Sequence, residues 1–299
     1  MEQRTAHARE KAAVLAEALP YIKRFSGATI VIKYGGHAMD DAEASASFAE
    51  DVVLMRLIGM NPVVVHGGGP QISDLMRRLG KEPTFVNGRR VTDAETVEIV
   101  RMALIGQVNA SVVTSINRQG SFAVGISGED ASMITARQGD PELGFVGEVA
   151  SINPSVIHKL LNEELIPVIA TTGVDTEGQG YNINADTVAG AIAESLNAEK
   201  LVYLTDVAGI YRSFPEEDSL IARCSPGELE RLDAAGAFDA GMIPKVHSIV
   251  AAVKAGVRRA HVLDGRVPHA LLLEFFTDAG IGTMVSNDAD DAEARGATS

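Results

Sequence analysis

The chain has 299 residues, 46% of them hydrophobic and 22% charged, which excludes disorder as its main state and is long enough for one large or two modest domains. Its 40 Asp and Glu against 26 Lys and Arg give a formal net charge of −14, which argues against broad binding to nucleic acid or to an anionic membrane. Aromatic residues make up 5% with no Trp, so there is little to build base-stacking platforms from, and the single cysteine, Cys224, cannot form an internal disulfide.

The first 25 residues, MEQRTAHAREKAAVLAEALPYIKRF, contain no apolar core of the signal-peptide kind, and no run of about 18 apolar residues follows, so a reducing cytoplasm is the expected setting. Between Ala12 and Ile22 the side chains of Leu15, Leu19 and Ile22 fall at i, i+4 and i+7, one apolar stripe on a helix that Pro20 should kink. A lone helix of that length is marginal in water, so the stripe should dock on its own subunit or on another. After it, Val/Ile-rich runs at 29–34, 61–66, 121–126, 166–171, 200–206 and 258–263 alternate with amphipathic stretches at 40–59, 70–80, 93–118, 154–163, 185–196 and 243–255. Near-continuous apolar strands between helices predict an α/β fold with a parallel sheet covered on both faces.

Thr92 and Glu95 stand at capping-box spacing before the longest helix. Asn87-Gly88, inside TFVNGRRV, signals a hairpin, and PELGFVGEV (141–149) reads as a second β excursion, the two placed to form a lid over the sheet edge. No repeat or long linker breaks the chain. Two lobes in contact are expected, 25–180 and 181–286, preceded by the helix 1–24 and followed by a disordered acidic tail, 287–299.

Chemistry concentrates where strands end. Lys33-Tyr34-Gly35-Gly36 sets a lysine beside glycines whose N–H groups can approach an anion. His66-Gly67-Gly68-Gly69-Pro70 opens a helix with unobstructed N–H groups, a cradle for phosphate or carboxylate that is neither a GxGxxG fingerprint nor a Walker A loop. His66 itself reads as a structural hydrogen-bonding residue and not a base. Asn182, Asn184 and Asp186 alternate, which puts them on one side of an extended segment, amides beside an acid suiting a ligand with carboxylate and amide groups; helix capping by Asn184 or Asp186 is the bland alternative. Thr205, Asp206, Gly209 and Tyr211 follow a strand and can hold a base and ribose, while Lys245 in GMIPK stands near a helix start within reach of phosphate.

In this order the motifs KYGGHAM, VVVHGGGPQI, VNGRRVT, LGFVGEV, YNINADTVAGAIA, LTDVAGIY and GMIPKV resemble the amino acid kinase family over residues 28–286, the VNGRRVT and YNINAD pair pointing to its acetylglutamate-phosphorylating branch. The resemblance implies a three-layer α/β/α fold around a mainly parallel open sheet, and transfer of phosphate from ATP to N-acetyl-L-glutamate. It implies that Lys33 and Lys245 flank the transferring group and that Asp186 orients them. Gly35, Gly36, Gly67 and Gly68 would then bind phosphate, and Gly68, Gly69, Arg90 and Asn182 the substrate. The nucleotide would fall to Thr205, Asp206, Gly209 and Tyr211. A γ-carboxylate with a pKa of about 4.3 is already ionised at neutral pH, so no general base is needed. No metal-ligand spacing is present, and Mg²⁺ is expected to arrive with the nucleotide.

N-terminal extensions of this kind resemble those of arginine-inhibited members, which implies a dimer or a hexamer built as a trimer of dimers, with L-arginine held near Tyr21, Glu274 and Gly282. Two other readings compete: a related kinase acting on another small acceptor, and a catalytically silent arginine sensor, which would not need both lysines and Asp186. Neither nucleic acid nor membrane is expected as a partner.

Overall fold

A computed structural model describes residues 2–39, 41–86, 88–239, 241–277 and 280–287. The chain runs through α1 (Glu2–Phe25), β1 (Thr29–Tyr34), α2 (Ala42–Leu57), β2 (Asn61–His66) and α3 (Gly69–Arg78) to a hairpin of β3 (Phe85–Val86) and β4 (Arg89–Arg90). The long helix follows as α4 (Ala94–Arg101), a π-helical segment (Met102–Asn109) and α5 (Ala110–Asn117). Next come β5 (Ala123–Ser127), β6 (Ile134–Gln138), β7 (Val146–Ile152), α6 (Ser155–Asn162), β8 (Ile166–Ala170), β9 (Thr172–Val174), β10 (Gly180–Ile183) and α7 (Ala185–Ser195). The remainder is β11 (Lys200–Thr205), β12 (Arg223–Cys224), α8 (Pro226–Ala234), α9 (Ile243–Lys254), β13 (Arg259–Asp264), α10 (Ala270–Phe276) and β14 (Thr283–Ser286).

Eight strands make one sheet in the order β12-β14-β13-β11-β1-β2-β8-β5, parallel except where β14 meets β13. Successive side chains of the inner strands feed opposite layers, as the strand period demands. Val31, Val63 and Val65 join α7 and α9 through Val188, Ile192, Val246 and Ile249. Ile30, Ile32 and Val64 join α2 and α5 through Phe48, Val52, Val112 and Ile116. Each such fully buried aliphatic side chain contributes roughly 1.5–3 kcal/mol, so the three-layer α/β/α arrangement follows from these apolar runs. The strand order also leaves β1 at a switch point: β2 and β8 continue to one side, β11 and β13 to the other, and ligands bind at the carboxyl ends of strands there.

Several local expectations are revised. The cap of α4 is Asp93, whose carboxylate accepts the Thr96 N–H at 2.8 Å. Thr92 cannot cap, because its backbone is paired with Leu143 and Phe145 on the far side. Lys81 instead gathers Asp93 and Glu95 at 2.8 and 2.7 Å. The 84–91 segment does fold back, with Phe85 opposite Arg90, although Asn87 lies outside the described residues. The 141–149 segment is no free flap. It leads into β7, which closes a small barrel of β10, β7, β6 and β9 beside the main sheet.

Helix α1 continues through Pro20 as one element. Its end docks on α10 by edge-on ring contacts, Tyr21 with Phe276 and Phe25 with Phe275, but Leu15 is 72% and Leu19 48% exposed, so the upstream stripe is not covered by its own subunit. The 94–117 stretch is long and apolar enough to cross a bilayer, yet Val97, Val100, Leu104, Val112 and Ile116 are buried inward, as in a core helix. Of the expected tail, residues 288–299 lie outside the described residues.

Candidate active site

At the carboxyl edge of the sheet a cavity of about 280 Å³ opens between the ends of β1 and β2, the 85–90 hairpin, β10 and the start of α7. It gathers Lys33, Gly35, Gly36, Gly67, Gly68, Gly69, Arg90, Asn182 and Asp186, residues drawn from more than 150 positions of chain. Two of these glycines let neighbours approach closely. A Cβ on Gly68 would meet Leu104 and Val108 of the π-helical segment at 2.8 and 3.0 Å, and one on Gly35 would sit 3.1 Å from Lys33 Nζ and push the ammonium aside. Helix α3 starts at Gly69 with Pro70 in its first turn and no side-chain cap, which leaves its N–H groups for a ligand.

The charged centre is Asp186, buried in the first turn of α7. Its two carboxylate oxygens lie 3.3 Å from Lys33 Nζ and 3.2 Å from Lys245 Nζ. Burial opposes ionisation of this carboxyl, but the two ammonium groups outweigh it and hold it below the usual carboxylate range. Lys245 is pulled down by burial, which the Asp186 charge only partly offsets. Lys245 stands behind Asp186, with its ammonium over the Tyr203 ring, and is not part of the cavity wall itself.

The backbone of Asp186 is clamped as well. Its carbonyl accepts from the Tyr203 hydroxyl at 3.2 Å and the Ser248 hydroxyl at 2.6 Å. Gly190 makes room for that clamp, since a Cβ there would lie 2.5 Å from Ser248 Oγ. Tyr203 and Ser248 were not foreseen; the traces in the sequence are a glycine inside helix 185–196 and a serine one turn beyond Lys245.

Asn182, Asn184 and Asp186 do not share one extended face. The chain turns into α7 at Asn184, whose amide oxygen caps the helix by accepting the Asp186 and Thr187 N–H groups. All three still line the cavity. Arg90 is buried and fixed: its guanidinium donates to the Gly69 carbonyl at 2.9 Å and the Ser73 hydroxyl at 2.8 Å, and it lies over the Phe85 ring at 4.7 Å. Among the described residues its hydrogen-bond partners are neutral, so its full charge remains available to a carboxylate. His66 is buried at the end of β2, as a structural residue should be, and burial pushes its imidazole down to about 4.

Thr205 ends β11, and Asp206, Gly209 and Tyr211 lie on the loop after it, all four outside this cavity. The loop is anchored by Thr283, whose hydroxyl accepts the Ile210 N–H at 2.8 Å and donates to the Ile221 carbonyl at 2.6 Å. Asp206 is near enough to raise the affinity of Lys245 for its proton. At the opposite edge of the sheet, where β11 and β13 begin, Tyr21, Glu274 and Gly282 line a separate cavity of about 200 Å³ with Arg24, Lys200 and His261.

The sequence pattern of the amino acid kinase family matches residues 28–264. The chain belongs to that family. It is 54% identical to an acetylglutamate kinase from Acidothermus cellulolyticus over 286 residues, 92% of this chain and 96% of that one. It is 51% identical to an acetylglutamate kinase from Pelotomaculum thermopropionicum over 288 residues, 92% and 98% of the two chains. Among solved structures, an N-acetylglutamate synthase from Neisseria gonorrhoeae complexed with coenzyme A and N-acetyl-glutamate superposes with a TM-score of 0.81 at 27% identity, covering 93% of this chain and 63% of that one. The same synthase complexed with coenzyme A and L-arginine gives 0.76 at 26%, covering 95% and 70%.

Proposed function

We propose that the chain transfers the γ-phosphoryl group of MgATP to the γ-carboxylate of N-acetyl-L-glutamate, yielding N-acetyl-L-glutamyl 5-phosphate and ADP, the second step of arginine synthesis by this route. The observation that carries the reading is the Lys33–Asp186–Lys245 constellation at the switch point, in a chain more than 50% identical to acetylglutamate kinases over almost its whole length. The difficulty in such a reaction is bringing an anionic acceptor to an anionic donor, which calls for positioning and positive charge along the in-line path and not for a base. Lys33 and Lys245 supply that charge, Asp186 holds the two ammonium groups together, and N–H groups of Gly36 and Gly68 take phosphoryl oxygens.

Arg90 pairs with the α-carboxylate of the substrate, and Asn182 and Gly69 take its remaining polar groups. Thr205, Asp206, Gly209 and Tyr211 receive the nucleoside, with Mg²⁺ carried in on the phosphates. On this reading residues 25–180 form the acceptor lobe and 181–286 the nucleotide lobe of a cytoplasmic enzyme. The exposed stripe of α1 joins dimers into a hexamer, and L-arginine inhibits from the cavity lined by Tyr21, Glu274 and Gly282, a reading supported by the arginine complex of the synthase. A coupled ADP-release assay with acetylglutamate, glutamate, aspartate and carbamate tests the activity. ADP release that depends on acetylglutamate is expected; release with another acceptor, or none with acetylglutamate, refutes the proposal.

A further inference from the structure

The glycine cradle is held from below by a pair of side chains that the proposed chemistry does not use. His66 Nδ1 lies 2.9 Å from the Gly67 carbonyl, and His66 Nε2 lies 3.0 Å from Asn109 Nδ2. Which ring nitrogen carries the proton follows from both partners: the Gly67 carbonyl can only accept and so calls for Nδ1–H, and Asn109 agrees. The Val168 carbonyl, 2.9 Å away, can only accept, so it faces the amide nitrogen of Asn109, and the second hydrogen of that nitrogen goes to Nε2 at 3.0 Å in preference to the more distant Ile126 carbonyl at 3.5 Å. Nε2 is therefore the acceptor, and the neutral imidazole keeps its proton on Nδ1 and donates it to Gly67. The ring stays neutral near pH 7, since burial holds it at about 4.

A trans peptide points its C=O and its N–H in opposite directions. With the Gly67 carbonyl drawn down to the ring, the Gly68 N–H points away from it, on the side of the cavity that Gly67, Gly68 and Gly69 line. The π-helical segment completes the support. It delivers Asn109 beneath the ring, and it sets Leu104 and Val108 against Gly68 so that the peptide cannot drift that way. Wide helical turns of this kind recur at functional sites. Gly125 is shaped for the same purpose, because any Cβ there would overlap Asn109 Oδ1.

We propose that His66 is a positioning residue for phosphoryl transfer: held at Nε2 by Asn109 and donating from Nδ1, it turns the Gly67–Gly68 peptide so that the Gly68 N–H meets the transferring group. The inference rests on the kinase reading above. The test compares His66→Asn, which keeps an N–H donor near the Nδ1 position, with His66→Gln, which moves its amide towards the Nε2 position, and adds Asn109→Ala, which removes the donor that holds the ring at Nε2 without changing the ring itself.

For each variant kcat, both KM values, and affinity for MgADP with aluminium fluoride and acetylglutamate, a mimic of the planar phosphoryl group, are measured beside the thermal midpoint. Loss of an aimed donor costs ~10²–10³ in kcat, so a misaimed one should cost His66→Gln and Asn109→Ala at least about tenfold in kcat and in affinity for the mimic, with both KM values within about threefold. His66→Asn should stay within about threefold of wild type. Equal losses in the Asn and Gln variants, losses confined to KM, or unchanged kcat in Asn109→Ala would overturn the inference, and Asn109→Ala decides if the His66 variants do not fold. Should wild-type protein fail to phosphorylate acetylglutamate, the kinase reading falls by itself. The positioning role is then judged in crystals, where the Gly67 carbonyl must leave residue 66 in the Gln variant and stay in the Asn variant.

Discussion

Replacing Asp186 by Asn removes one negative charge from between two ammonium groups while keeping the side-chain shape. At separations of 3.3 and 3.2 Å, each ion pair amounts to about 5 kcal/mol if the effective dielectric is near 20. Water entering the cleft reduces that, since the Lys33 side chain is 14% exposed, and a net loss of roughly 1–3 kcal/mol per lysine is the working figure. Lys245 shows where the loss appears. Burial already lowers its pKa, the Asp186 charge is the main force raising it, and the Lys33 charge pushes the same way as burial. Without Asp186 the pKa falls further.

A lysine is charged below its pKa and neutral above it, so activity that needs the ammonium is present at low pH and lost as pH rises through that value. The alkaline limb of the kcat profile should therefore move to lower pH in Asp186→Asn, and kcat near neutrality should drop by about a hundredfold, as for loss of an aligned electrostatic group. ADP release at saturating MgATP and acetylglutamate, followed from about pH 6 to pH 10, measures both quantities. A folded variant with an unmoved alkaline limb would refute the reasoning, because the carboxylate would then not be what keeps Lys245 charged.

Lys33→Ala and Lys245→Ala should each lower kcat by about a hundredfold or more with the fold intact, as expected when a transition-state charge is lost; unchanged turnover in either, with an unaltered thermal midpoint, removes that lysine from the mechanism. Arg90→Lys should chiefly raise the KM for acetylglutamate, because it replaces a planar fork by a point charge at a contact made in ground and transition states alike. A selective rise in the ATP KM would instead put Arg90 on the nucleotide. Deleting residues 1–24 removes the exposed Val14, Leu15 and Leu19 together with Tyr21 and Arg24 of the far cavity. Sedimentation should then show dimers and titration a weakened response to arginine, with basal activity largely kept; a truncated protein that stays hexameric and fully arginine-sensitive contradicts this.

How much of this was legible in the sequence depends on whether a signal is local. The strand runs ending in Lys33 and His66 could be read directly, because buried parallel strands are continuous apolar runs and the residues at their carboxyl ends are those that meet a ligand. The same holds for the glycines at 35–36 and 67–69. Asp93 was missed as a cap because Thr92 satisfies the local rule equally well, and only the strand-like pairing of Thr92 with Leu143 and Phe145, some 50 residues on, rules it out. The alternation of Asn182, Asn184 and Asp186 misled in the same way. Period-two logic holds only while the chain stays extended, and the strand ends at Ile183, between the first and second of them, where Asn184 caps α7.

What no local signal carried is the geometry that joins distant segments. Lys245 reaches Asp186 across 59 residues, and Asn109 reaches His66 across 43. Periodicity assigns 93–118 to one helix, but it cannot show that the middle widens into π turns, which depends on what the helix must approach. Here that neighbour is Gly68, with no side chain to hold Leu104 and Val108 away. A uniform α-helix would rotate each later side chain by about 100° per residue on a fixed schedule, and one extra residue in a wide turn resets that phase. The reset is what allows one helix face to pack Leu104 and Val108 against the glycine loop and still turn Asn109 under His66. The wide turns and the glycine loop therefore belong to one arrangement, in which a close backbone approach at Gly68 and a buried amide at Asn109 together decide where the donors of the cradle point.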